Sequence, residues 1–245
     1  MNEYRPGGFQ ILPPVVKNLL IINVLVYAAT YILQKTHIVD LDYYLALFHW
    51  SSPLFKPWQI VTHMFMHDQS NITHLLFNMF ALWMFGSAIE NTLGPKKFLI
   101  FYFVCGIGAA ICYSLVFTWE NAADIQWFHQ LSNLQQHQIV DQLVATKYGP
   151  KQAFPMVSPM LGASGAIFGL LFAFGYLFPD AMIYLYFFVP IKAKYFVAIY
   201  AAIELFSGIR NNPADNVAHF AHIGGMIFAY LLLLFWKKSK RFVRY

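Results

Sequence analysis

The chain has 245 residues, 59% of them hydrophobic, 19% aromatic and only 11% charged, whereas soluble domains are about half apolar and about a quarter charged, so a water-exposed globule is excluded. The net charge of +5 would suit nucleic acid, but the basic residues lie in turns and at the C-terminus and form no aromatic-interleaved patch. Neither nucleic acid nor a cofactor is expected as a partner; the lipid bilayer is.

Apolar runs approaching the roughly 20 residues that a bilayer core requires predict six crossing helices, at 15–34, 72–90, 97–118, 161–178, 192–208 and 217–236. The expected fold class is an all-α integral membrane protein with one domain over 15–236, a cytoplasmic segment 1–14 before it and a basic tail 237–245 after it. The first run has no small-residue cleavage site behind it and reads as a retained span. Residues 36–71, with Trp50, Pro57 and Trp58, read as a long aromatic connection lying partly in the interface. In the third run, Cys105 and Cys112 sit about 10 Å apart along a helix, too far to bridge, and read as apolar fillers. The connection 119–160 is the most polar part of the chain, with a surface helix expected over 131–144. Residues 181–191 are too short to cross, and Pro190 and the following Lys192 suit an interfacial connector.

With six spans both termini share a side. Arg5, Lys17, Lys96, Lys97, Lys192, Lys194 and the cluster Lys237, Lys238, Lys240, Arg241 and Arg244 fall with them, against Lys35, Lys56, Lys147, Lys151 and Arg210 on the other side. The bias of basic residues puts both termini in the cytoplasm. There is no internal repeat.

Polar side chains are costly in a bilayer, so their placement is informative. His74 and Asn78 share one face of the second span. Gly162-Ala163-Ser164-Gly165 opens the fourth, leaving a hydroxyl among residues too small to cover it. His219 and His222 precede Gly224, Gly225 and Ala229 in the sixth. These spans all run from outside to inside under the charge-based topology, so the groups share a depth of roughly 5–10 Å below the outer boundary. A hydroxyl, an imidazole and a pair of amide and imidazole donors in one layer suit a catalytic constellation better than packing alone.

His74-Leu75-Leu76-Phe77-Asn78, then Gly162-Ala163-Ser164-Gly165, then Ala221-His222-Ile223-Gly224-Gly225, in that order on alternate spans, resemble the rhomboid intramembrane serine proteases. Pro57-Trp58-Gln59 and Thr62-His63-Met64-Phe65-Met66-His67 resemble that family's first outer loop, and the likeness extends from Trp58 to about Ala229. Gln59 stands where many members have arginine, and Phe168 where many have tyrosine. The resemblance implies a serine endopeptidase that cuts transmembrane protein substrates in or near their helices.

Ser164 is then the nucleophile and His222 its general base. The nearest acid in the same span, Asp215, lies about two turns away, so a dyad is expected and not a triad. Phe168 would stack on His222, and Gly225 with Ala229 would let the sixth helix approach the fourth through Gly165 and Gly169. The oxyanion would be met by His74, Asn78 and the Ser164 backbone N–H. His67, His63 or Gln59 would hold water, and His219 reads as structural. His63 and His67 have metal-ligand spacing, but no third acidic ligand accompanies them, and no metal is expected. Glu90 and Glu204 read as paired groups near span ends.

The competing readings are a protease-dead member that binds membrane clients, which should have lost the serine or the histidine, and a transporter or channel, which should show mid-membrane charge pairs or repeat symmetry. The compact six-span form resembles bacterial members of that family, which implies a bacterial cell inner (plasma) membrane as the location; oligomeric state is left open by the sequence.

Overall fold

The computed structural model describes residues 9–145, 157–185, 188–210 and 218–239. Helix α1 spans Pro14–Lys35; the short α2 (Leu41–Leu45) and α3 (Gln59–Thr62) follow, and α3 runs on as a 3-10 turn over His63–Phe65. The next long helix is built of α4 (Ile72–Ala81), a π turn at Leu82–Gly86 and α5 (Ser87–Leu93). After it come α6 (Pro95–Glu120), α7 (Ala122–Gln130), α8 (Asn133–Ala145) and α9 (Ser164–Leu177). An antiparallel pair of strands, β1 (Met182–Leu185) and β2 (Val189–Lys192), precedes α10 (Ala193–Arg210) and α11 (His219–Lys238).

Local chemistry sets these boundaries. Pro14 and Pro95 occupy the first turns of α1 and α6, where a missing N–H costs nothing and φ is already helical. The Asn71 side chain accepts from Thr73 N and caps α4. Gly94, at φ +78°, breaks the chain between α5 and α6.

The chain is an all-α membrane protein, as the composition implied. Pro14–Lys35, Ile72–Leu93, Pro95–Glu120 and His219–Lys238 are long and apolar enough to cross a bilayer. The expected spans over 161–178 and 192–208 differ from these four. Helix α9 has only 14 residues, yet Gly165, Ala166, Ile167, Gly169, Leu170, Leu171, Ala173 and Gly175 along it are buried. Surrounded by protein, it need not match the lipid thickness. Helix α10 is 18 residues long but carries Lys194, Glu204 and Arg210.

The start of the fourth span is a correction: residues 161–163 are not helical. Leu47 and Met160 exchange backbone hydrogen bonds, and Gly162 N donates to His63 O at 3.0 Å. Gly162 takes φ +129°, a region open to glycine and strained for other residues. The segment is thereby pulled out of the helix and tied to the first loop. In the connector expected at 181–191, Met182–Leu185 and Val189–Lys192 pair as antiparallel strands, and Ala193 N donates to Ala181 O beside them, since strand pairing satisfies the backbone of an apolar segment too short to cross. The surface helix expected at 131–144 appears as α8, with α7 before it. Residues 1–8 and 240–245, from the two expected terminal segments, and 146–156 lie outside the described residues.

Glu90 does not sit as an interface-facing member of an ion pair. It is buried, and its two oxygens accept from Val15 N at 3.0 Å and Val16 N at 2.8 Å. A carboxylate is thereby placed on the positive end of α1. Gln59 is also fully buried. Its Oε1 accepts from Lys56 N and its Nε2 donates to Leu54 O, so the amide organises the first loop where the family resemblance led one to look for arginine.

The core is formed by α6, α9 and α11 packed on one another. A Cβ added at Gly225 would land on the carbonyl oxygen of Gly165, and one at Gly169 would lie 3.1 Å from Gly225 O. The two helices thus touch backbone to backbone, as the small residues implied. Cys105 and Cys112 fill the other side: Cys105 Sγ lies 2.6 Å from a Cβ built at Gly169, and Cys112 Cβ 2.5 Å from one built at Gly224. Gly225→Leu is therefore expected to exceed the ~1–3 kcal/mol usual for overpacking, because the obstacle is a main chain that cannot rotate away. A thermal-unfolding midpoint in detergent equal to that of the wild type would contradict this packing.

Candidate active site

Because α9 starts at Ser164, that residue occupies the first helical position, where the backbone N–H has no acceptor within the helix. Its hydroxyl meets the sixth long helix: Ser164 Oγ lies 2.8 Å from His222 Nε2. His222, one turn into α11, is buried. The Phe168 ring stacks on it at 4.0 Å between centroids and 8° between planes. Gly165 and Gly225 meet at the contact between α9 and α11, and Gly162, just before α9, lies against His74.

From the second long helix, His74 approaches the same place, with Asn78 one turn further along the same helix. The position of a Cβ on Gly162 would be 3.1 Å from His74 Nε2 and 3.6 Å from Ser164 Oγ. His74 Nδ1 accepts from Asp68 N at 3.4 Å, which leaves the proton on Nε2, the nitrogen facing Gly162. Asn78 is buried, and its Nδ2 has no hydrogen-bond partner among the described residues. His74, Ser164 and His222 therefore meet from the first turns of three different helices.

The sequence reading took Glu204 as a paired group near a span end and did not connect it with His222. Glu204 Oε2 lies 2.8 Å from His222 Nδ1 and 2.7 Å from His219 Nδ1. The expectation of an unassisted Ser-His pair is corrected in its geometry: an acid stands behind the imidazole, supplied by α10 and not by the helix that bears the histidine. Asp215, the acid weighed from the sequence, lies outside the described residues. The available signal was an ionisable residue within an apolar helix, which by default marks function; helix α10 runs on to Arg210, so Glu204 is farther from its end than a span ending at 208 implied. Ligand atoms of Glu204, His219 and His222 all lie within 4.8 Å of one another, but both imidazoles meet Glu204 Oε2 through Nδ1 at hydrogen-bond distance, so the cluster is closed by its own hydrogen bonds. Among the described residues, neither His63 nor His67 belongs to such a set.

A model of the Rhomboid domain matches residues 54–239. The chain belongs to the rhomboid family. It is 30% identical over 172 residues to the mitochondrial Rhomboid protein 1 of Saccharomyces cerevisiae, covering 70% of this chain and 40% of that protein. The mitochondrial RHOMBOID-like protein 12 of Arabidopsis thaliana is 25% identical over 74% of this chain and 46% of its own length. Rhomboid protease AarA of Providencia stuartii is 30% identical over 71% of this chain and 54% of its own length. The chain thus spans about half the length of these rhomboids. They come from mitochondria and from a bacterium, so the expected bacterial cell membrane draws no support from them.

The first loop of this rhomboid carries two buried histidines between the first and second long helices. Burial pushes both imidazoles down to about 4, His63 against the help of its Nδ1 bond to Gln59 O and His67 with a further push from His74. A histidine near 6.5 when unfolded and about 4 when folded binds fewer protons in the native state, so its stability contribution is complete above pH 6.5 and is lost as pH falls toward 4. For His63 the loss is on the order of 3 kcal/mol. Between pH 7 and 5, the unfolding midpoint of the wild type is expected to fall further than that of His63→Gln; parallel pH profiles would show that His63 does not titrate on unfolding.

Proposed function

We propose that this rhomboid is an intramembrane serine endopeptidase that hydrolyses peptide bonds in or near the transmembrane helices of other membrane proteins. The observation that carries this reading is the 2.8 Å contact between Ser164 Oγ and His222 Nε2. A hydroxyl becomes a useful nucleophile only when a base within hydrogen-bond reach takes its proton.

In this mechanism Ser164 Oγ attacks the substrate carbonyl while its proton passes to His222 Nε2. The oxyanion is met by the Ser164 N–H at the start of α9, by Asn78 Nδ2 and by His74 Nε2–H, donors already held in place before the charge forms. His222 then protonates the departing amine, and a water molecule deprotonated by the same imidazole releases the acyl group. The substrate helix must unwind locally to expose its carbonyl, because its own hydrogen bonds occupy it. The bias of basic residues supports a topology with six spans and both termini on the cytoplasmic side. A client-binding protein without protease activity would have no use for the hydroxyl and imidazole in contact, and both are present.

Purified Ser164→Ala and His222→Ala proteins are expected to lose cleavage of a helical transmembrane reporter, with the fold retained. Asn78→Ala should lower kcat by roughly 10²–10³-fold if it supplies one oxyanion donor. Wild-type turnover in either of the first two variants removes the mechanism; unchanged kcat in the third removes Asn78 from the oxyanion site.

A further inference from the structure

Behind the reactive pair is a carboxylate that the mechanism above does not use. Glu204, buried on α10, places Oε2 2.8 Å from His222 Nδ1, on the side of the ring opposite Ser164. An ionised carboxylate only accepts hydrogen bonds, so a contact of this length requires the proton on Nδ1. The Nε2 lone pair is then directed at the Ser164 hydroxyl, 2.8 Å away. In the other tautomer Nε2 would carry hydrogen and could take no proton from serine. The stacked Phe168 fixes the plane of the ring, but a stack cannot choose between two tautomers or stop rotation within that plane. A hydrogen bond at Nδ1 does both.

We propose that Glu204 is the positioning residue for His222, completing a Ser164–His222–Glu204 array whose acid comes from a different helix from its base. The proposal rests on the protease reading above. His219 steadies the array, because its Nδ1 lies 2.7 Å from the same Oε2 and restrains the carboxylate from the next turn of α11. The titratable groups facing His222 are Glu204 from α10, His219 from its own helix and His74 from α4. During acylation the Ser164 O–H bond breaks as the bond from Oγ to the carbonyl carbon forms, and the proton moves to Nε2. The Nδ1 proton stays on the imidazolium, paired with Glu204, which is not itself protonated. As the scissile C–N bond breaks, the Nε2 proton leaves with the amine.

The test uses the full chain in proteoliposomes with a helical transmembrane reporter, comparing wild type, Glu204→Gln, Glu204→Ala and Ser164→Ala. Steady-state kcat and KM are normalised to folded protein, and the rate of Ser164 labelling by a fluorophosphonate is followed separately. Glu204→Gln, close in shape to the native side chain, is expected to lower kcat and the labelling rate together by about tenfold or more while KM is unchanged. The loss should be smaller than the ~10⁴-fold caused by disabling the acid of a soluble triad, because Phe168 still holds the ring plane. Native-like kcat in Glu204→Gln beside an inactive Ser164→Ala overturns the positioning role and leaves the protease standing. So does a loss in Glu204→Ala that is accounted for entirely by unfolded protein. Wild-type protein that neither cleaves nor labels overturns the protease reading, and the role of Glu204 with it.

Discussion

The architecture depends on one contact, the backbone approach of α9 and α11 at Gly165 and Gly225. Between most helices the spacing is set by side chains, which can readjust by changing rotamer. Here it is set by a carbonyl oxygen against an α-carbon, and main chain has no such freedom. Ser164 stands one residue from this contact and His222 three residues from it on the other helix, so their separation is inherited from the packing. Cys105 and Cys112, on α6, press the pair from behind. A polar cluster carried by separate helices in lipid has no hydrophobic collapse to hold it; steric contact between backbones takes over that task.

Much of this was legible in the sequence because lipid penalises polar groups so heavily. His74, Asn78, Ser164 and His222 could be selected without coordinates because each is polar, lies in an apolar run, and falls near the same end of its helix. The Gly165–Gly225 approach could be read from small residues at helical spacing. Glu204 could not be placed in the same way. Its partners are 15 and 18 residues away on the next helix, and which face of α10 turns toward α11 depends on the connections between them. A search for the acid confined to the histidine's own helix therefore looked at the wrong element.

The start of α9 shows a different limit. Apolar composition runs smoothly through 161–178, so hydropathy alone places the helix start too early. The true start is decided by hydrogen bonds to residues more than 90 positions away: Gly162 N to His63 O and the exchange between Leu47 and Met160. These draw the chain into an extended path and leave the Ser164 N–H at a helix terminus, free of intrahelical partners. Gln59 belongs to the same system, since its buried amide shapes the loop that supplies the His63 carbonyl. The first loop thus reaches Ser164 through the backbone, by fixing where a helix begins.

The seating of Glu90 on α1 bears on how the protein is assembled. The amides of Val15 and Val16 leave the ribosome some 75 residues before the carboxylate that receives them, and until it arrives only water or headgroups can satisfy them. The first helix, which offers little surface for packing, therefore acquires its fixed seat only after the second long helix has been inserted. Glu90 acts here together with Trp83 and Ser87, which donate to Ile11 O just before α1, and a nascent chain stalled between the two helices would hold α1 without any of these ties.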